Sequence, residues 1–334
     1  MVVALSILPI FFIIVVGLFL RKIAFADASF WSGAEKMTYY IFLPALLINK
    51  MSSAETNDIN LSSLALTSVS ILLLMAAMII AGHKVFQYFR KKGVQQESCQ
   101  QSNTVATEKE IKPTALTSVF QGGIRFNTYV GLAIVTALYG SEGLVIAVVM
   151  AAIMIPLINI LCVTMLQIYH ASHDGIASRY RQLTMAIITN PLIVSCGLGI
   201  VINILAIPIP FVVNQVLYLL SQVALPLALL TVGAALNLHG LGSAAIPVII
   251  ACISKFILLP IVAMGFATMF GLGELERGVL LVFSLLPTAT ASYVLTKQLG
   301  GDAPLMATII TFQTLLSALW IPLVLGIFGT TVLA

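Results

Sequence analysis

The sequence predicts an all-α integral membrane protein of ten transmembrane helices arranged as a five-plus-five inverted repeat. Three observations carry this prediction. The 334 residues are 60% hydrophobic and only 8% charged, with a mean hydropathy of +1.09, which is far outside the range of soluble domains. Ten stretches approach the roughly 20 apolar residues that a membrane helix needs. The chain also resembles itself at two offsets, 182 and 160 residues.

The apolar stretches run over 3–20, 36–51, 64–82, 114–139, 143–168, 183–206, 211–234, 245–270, 277–299 and 304–330, and the second is the shortest. Strand-type alternation with short spacing is absent, which argues against a barrel. Between the third and fourth stretches, residues 84–113 are glutamine-rich, charged and poor in large apolar groups. A cytoplasmic linker is expected there. The organisation is therefore 1–83 (spans one to three), 84–113 (polar loop), 114–168 (spans four and five) and 183–330 (second repeat).

Basic residues set the orientation. Arg21, Lys22, Lys36, Lys84, Arg90, Lys91, Lys92, Lys109, Lys112, Arg179, Arg181 and Lys297 fall on one side, and only Lys50 and Arg277 on the other. The bias puts the larger set in the cytoplasm and both termini outside it. The A-x-A pattern within IAFADA (23–28) resembles a cleavage site, but no basic residue precedes the apolar run and Arg21 and Lys22 follow it, so a retained helix is expected. Cys99, Cys162, Cys196 and Cys252 show neither metal nor disulfide spacing, and buried thiols are expected. No cofactor, metal or nucleic-acid partner is called for.

At the offset of 182, Pro9, Gly17, Ala24, Leu43, Pro44 and Leu47 fall on Pro191, Gly199, Ala206, Leu225, Pro226 and Leu229. At 160, Thr128, Thr136, Gly140 and Glu142 fall on Thr288, Thr296, Gly300 and Asp302. Five spans per repeat is an odd number, so the halves enter the membrane in opposite senses. Such inverted repeats build secondary transporters, with sites near the midplane where helices are discontinuous.

Spans four and nine carry the signals for interruption. These are Gly122, Gly123 and Asn127 in the first, and Pro287 followed by Thr288, Ala289, Thr290, Ala291 and Ser292 in the second. Proline removes a backbone donor, and asparagine can bond the local backbone instead. Freed backbone at membrane depth has to line a cavity. The second half-helices are expected to begin near Thr128 and Thr288 and to offer unpaired N–H groups to an anion.

Arg125 sits within GGIRFNTYVG (122–131), halfway along a membrane-length segment. Its guanidinium keeps its proton, and every Asp and Glu lies in a loop or at a span end. A ligand carboxylate is the expected partner, held bidentately. Lys255 has a flexible stem that can carry its amine toward an interface. Glu142 and Asp302 sit in turns that open spans five and ten, where capping explains them. His83, His170, His173 and His239 lie near span ends or in loops.

These residues resemble those of the auxin efflux carrier family, which includes bacterial malonate-permease-like proteins. The resemblance is carried by YYIFLPALL (39–47), RFNTYVGLAIVTALYG (125–140), NPLI (190–193), LPLALLTVGAAL (225–236), SKFILLP (254–260) and LPTATASYVLTKQLGGD (286–302). It implies a fold similar to bile-acid symporters and sodium–proton antiporters, with crossing broken helices four and nine. It also implies a scaffold of spans one, two, six and seven and a transport unit of spans three to five and eight to ten. Members resemble dimeric elevators for organic anions in the plasma membrane, here a bacterial inner membrane, so a homodimer is expected.

Carried over by residue, the resemblance puts Asn127 and Pro287 at the crossing, with Arg125, Thr128, Thr288, Thr290 and Ser292 around the ligand. Asn49 and Lys255 are additional candidates. Asparagine replaces the crossing proline of the plant carriers in span four, and the long loop follows span three rather than five, so a small dicarboxylate such as malonate is a better expectation than auxin. The alternatives are a sodium- or proton-coupled symporter of bile-acid-like anions and an anion-binding sensor or channel. An intramembrane enzyme needs a nucleophile–base pair, paired acids or metal ligands, and the spans show no such arrangement.

Overall fold

Residues 2–54, 60–97, 113–170, 185, 189–238 and 245–328 are described by a computed structural model. Helix accounts for nearly all of the described chain, and no strand occurs among the described residues. The first helix, α1 (Val2–Lys22), ends in Arg21 and Lys22, favourable charges for a helix C-terminus. A turn through Ala24, at φ 53°, leads to α2 (Ala28–Met37). Asp27 caps α2, its carboxylate accepting from the Phe30 amide at 2.9 Å. The second span therefore starts at Ala28 rather than 36, because the Asp27 cap adds turns that are too polar to register as membrane helix.

A π-helical turn (Thr38–Phe42) joins α2 to α3 (Leu43–Met51), and a second one (Ser254–Leu258) joins α9 (Ala245–Ile253) to α10 (Leu259–Met269). The cause is shared. Pro44 and Pro260 lack the N–H that would bond the carbonyl four residues back, and each follows its wide turn by two residues. The carbonyl that Pro260 leaves free, Phe256 O, accepts from the Trp320 indole at 3.1 Å.

The remaining elements are α4 (Leu61–Glu97), α5 (Pro113–Ile124), α6 (Thr128–His170), α7 (Pro191–Ile204), α8 (Phe211–Ala235), α11 (Glu274–Leu285), α12 (Ala291–Gln298) and α13 (Ala303–Phe328). Within α6, Gly140 has φ 63° and divides the run into two helices. Among the described residues, six apolar runs are long enough to cross a membrane, one of them the 55-residue stretch Ala115–Tyr169 that contains this kink and the break before Thr128.

Two expectations change. The linker expected at 84–113 is helical through Glu97, because its Lys, Arg, Gln and Glu residues are good helix formers; residues 98–112, with Cys99, lie outside the described residues. The span expected at 183–206 is described as continuous helix only from Pro191, which Asn190 caps through the Leu192 amide. Cys162, Cys196 and Cys252 are buried free thiols, as expected.

Packing falls into two sets. In one, α1 lies along α8, and α3 packs on α7 and α8. Gly17 and Gly233 make this possible, since a Cβ at either would collide with the opposing backbone at Leu230 or Ile14. In the other set, α4, α5, α6 and α9–α13 pack mutually.

Candidate functional site

Two helices stop and restart inside the second set. One break is Arg125–Asn127, between α5 and α6; the other is 286–290, between α11 and α12. They meet directly, with the Asn127 amide donating to Pro287 O at 2.8 Å. The expected breaks are present, but their details differ. Helix α5 runs straight through Gly122 and Gly123, where a Cβ would meet Ile309 and Ala251 or Ile79 and Ser254 at 2.6–3.3 Å. These glycines serve close packing, and the break itself comes after Ile124.

Asn127 is the N-cap of α6. Its carboxamide oxygen accepts from the amides of Tyr129 (3.1 Å) and Val130 (3.3 Å), which leaves its Nδ2 buried without a partner. Two of the amides expected to face an anion are thus already satisfied. The second half-helix begins at Ala291, not near Thr288. Residues 286–289 lie outside any helix, with Leu286 extended, and the Ser292 and Tyr293 amides of α12 turn back onto Ala289 O and Thr290 O.

The reason for the delay is Gln313 on α13. Its Oε1 accepts from the Thr288 amide (3.0 Å) and hydroxyl (2.6 Å), and its Nε2 donates to Gly122 O (3.0 Å) and Ala251 O (3.3 Å). The Thr288 hydroxyl also lies 3.0 Å from Gly122 O. One fully buried side chain thereby ties α5, α9 and the second break together. Nearby, Gln121 donates to the Thr296 hydroxyl at 2.8 Å. Neither glutamine stood out in sequence; a buried amide inside an apolar helix was the available signal.

A cavity of about 580 Å³ opens beside the breaks. Arg125, Asn127, Thr128, Ala289 and Thr290 line it, together with Tyr39, Tyr129, Asn159, Asn190, Gln298 and Glu35. The candidates Arg125, Asn127, Thr128 and Thr290 are therefore brought together. Pro287, Thr288 and Ser292 are buried behind the crossing and do not line the cavity. Asn49 is remote from it, donating to Asn214 at 3.2 Å.

Lys255 does not travel to an interface. It is fully buried in its π turn, and its Nζ donates to Arg125 O at 2.9 Å and lies 6.0 Å from the Phe126 ring centroid. An ammonium at the C-terminal end of α5 answers the partial negative charge there.

Arg125 is half-buried, and its Nη1 is buried with no hydrogen-bond partner. Among the described residues no carboxylate is paired with it. The expectation that every acid stays away from this region is nevertheless corrected. Glu35 lines the same cavity, because the early start of α2 folds it inward. Glu276 is buried too, but it is committed to the Gly273 and Asn60 amides at 2.7 and 3.3 Å. Asp302 caps α13 through Leu305 N at 3.0 Å, as expected.

Among known families, the chain matches one described as membrane transport protein, over residues 2–105 and 126–325. No curated protein matches the chain significantly.

Proposed function

We propose, from the premise that the chain belongs to the membrane transport protein family that comprises the auxin efflux carriers, that it carries small organic anions of the malonate type. Membership makes it a multi-pass transporter. The substrate, the elevator movement and the ten-span inverted repeat are our own reading.

The observation that carries the anion assignment is Arg125 Nη1, which is buried, charged and without a hydrogen-bond partner on the wall of a cavity. A buried donor left unmade is costly, and a charge at membrane depth is costlier. A carboxylate that takes the guanidinium in two parallel hydrogen bonds removes both penalties. In this reading Thr128 and Thr290, which line the same cavity, select its remaining oxygens.

Paired backbone features support the inverted repeat. Ala24 and Ala206, matched at the offset of 182, are the two non-glycine residues with positive φ among the described residues, at 53° and 49°. Each sits in the same turn, with Phe25 N on Leu20 O and Ile207 N on Ile202 O. Gly140 and Gly300, matched at 160, have φ 63° and 73°. The two packing sets support a scaffold of spans one, two, six and seven beside a transport unit of spans three to five and eight to ten. In this reading the unit slides with its ligand neutralising Arg125, and the cavity with Lys36 and Gln298 at its rim faces the basic, cytoplasmic side.

Lys255 bears on the cation-coupled alternative. Its Nζ already donates to the Arg125 carbonyl, so a sodium ion would have to share or compete for that oxygen. The test of the proposal is uptake of labelled mono- and dicarboxylates into liposomes, together with malonate protection of a cysteine placed by Thr128→Cys. Protection by cations alone, or uptake of neutral analogues at the same rate, refutes it.

A further inference from the structure

Glu35 is half-buried on α2 and lines two chambers at once, the cavity of about 580 Å³ that holds Arg125 and an adjoining one of about 650 Å³. The Thr290 hydroxyl donates to its Oε1 at 3.4 Å. Glu35, Thr290 and Val294 line both chambers. Among the described residues no cation is paired with Glu35.

The charged groups around it come from three elements. Arg21 and Lys22 on α1 and Lys36 on α2 are solvent-exposed, and Arg21 is committed to Ala234 O at 3.2 Å. Arg125 faces the same cavity from the first helix break. Tyr39 and Tyr129 line the same cavity, the Tyr39 hydroxyl donating to Asn190 at 3.3 Å. Tyr40 and Tyr293 complete the titratable groups lining the two chambers.

We propose that Glu35 is a proton-binding site that couples the anion to a proton, ionised in the empty carrier and protonated when a substrate carboxylate occupies Arg125. The inference rests on the anion-carrier reading above. In the empty cavity the Glu35 carboxylate and the Arg125 guanidinium cancel. An arriving carboxylate adds a negative charge to a confined space with a low effective dielectric, where like charges repel strongly.

The balance is restored when Glu35 takes one proton from the solution bathing the open cavity, forming a neutral carboxyl and leaving the substrate carboxylate to Arg125. When the substrate leaves on the other side, the proton leaves with it. Glu35, Arg125 and the one carboxylate that it holds then sum to zero in both forms that cross the apolar seam, so that a dicarboxylate such as malonate carries across only the charge of its second carboxylate, which the expense of moving unbalanced charge at membrane depth favours over two. Thr290 makes the exchange possible, because its hydroxyl can donate to the carboxylate or accept from the carboxyl.

The test uses the purified full-length protein with labelled malonate as probe. In weakly buffered detergent solution, malonate binding to the wild type is expected to take up about one proton per bound malonate, and zero uptake overturns the coupling. In liposomes held at zero membrane potential and carrying an internal pH dye, the wild type is expected to accumulate malonate about tenfold per unit of inward pH gradient, as one proton carried per malonate requires.

Glu35→Gln is expected to keep malonate counterflow and to lose both gradient-driven accumulation and the dye signal. A Glu35→Gln protein that still follows the gradient overturns the proposal, as does wild-type counterflow with no proton movement, which leaves the anion carrier standing. Should Glu35→Gln fail to fold, Glu35→Asp is expected to keep the proton signal, and its loss there in a folded, malonate-binding protein counts against the site. A wild type that neither binds nor exchanges malonate overturns the carrier reading for this anion, and the coupling with it.

Discussion

The two helix breaks stand at matched positions and touch through one backbone hydrogen bond, yet they are built in opposite ways. At Arg125–Asn127 the chain restarts after three residues, capped by its own asparagine, and two cations serve it, Lys255 on the carbonyl side and Arg125 toward the cavity. At 286–290 the gap is longer, carries no charge, and is held from behind by Gln313. The first break holds an unsatisfied polar group at a cavity wall, and the second buries satisfied ones. A carrier has use for both, because a charged ligand site stays in place only if its neighbour is a stiff joint.

The sharpest way to break this comparison is Arg125→Ala. Removing one partner of a desolvated charge pair costs about 2–5 kcal/mol, so malonate affinity is expected to fall at least ~30-fold. Arg125→Lys should fall between, keeping charge and losing the planar fork. Equilibrium binding measures both. Unchanged affinity in the alanine variant removes the functional distinction between the breaks.

Gln313→Leu tests the other side. It strands the Thr288 amide and takes one donor each from the Gly122 and Ala251 carbonyls. At about 1–3 kcal/mol for a buried unsatisfied group, a large drop in thermal stability in detergent is expected. Lys255→Met should cost about 1–3 kcal/mol by the same rule, since it uncovers Arg125 O. A melting temperature unmoved by either substitution means the joint is held elsewhere.

Asn127→Ala sharpens the picture with a smaller effect. Loss of the cap costs about 0.5–2 kcal/mol, and it frees the Tyr129 and Val130 amides, so stability should fall while malonate binding persists. The smallest effect belongs to Asp27, outside the breaks. Its carboxyl is held below the usual range by the Phe30 amide and the Ser29 hydroxyl. A lowered value in the folded chain means that its contribution is present above the unfolded pKa and lost as pH falls toward the folded one. Hydrogen exchange at Phe30 should therefore lose protection in acid, and Asp27→Ala should abolish that pH dependence.

Much of the architecture was legible in the residues because its causes are local. Partition of apolar stretches into lipid depends on composition over some twenty residues. The break at Pro287 follows from a missing N–H, and the restart at Thr128 from a carboxamide two and three residues from the amides that it caps. Arg125 announced its own need for a partner, since no neighbouring residue could neutralise it. The self-similarity at the offset of 182 was visible for the same reason: turns such as those at Ala24 and Ala206 are written in short segments.

What the residues could not disclose were pairings across the chain. Thr290 meets Glu35 over a separation of 255 residues, Gln313 meets Gly122 over 191, and Lys255 meets Arg125 over 130. Gly122 and Gly123 looked like a break and proved to be contact points, because only the packed neighbours Ile309 and Ile79 define what a side chain there would strike. Composition and backbone chemistry thus determine which segments are helix in lipid and where they interrupt. Which polar groups meet at the interruptions is decided by packing, since a buried hydrogen bond depends on the position of both partners and a sequence states only one at a time.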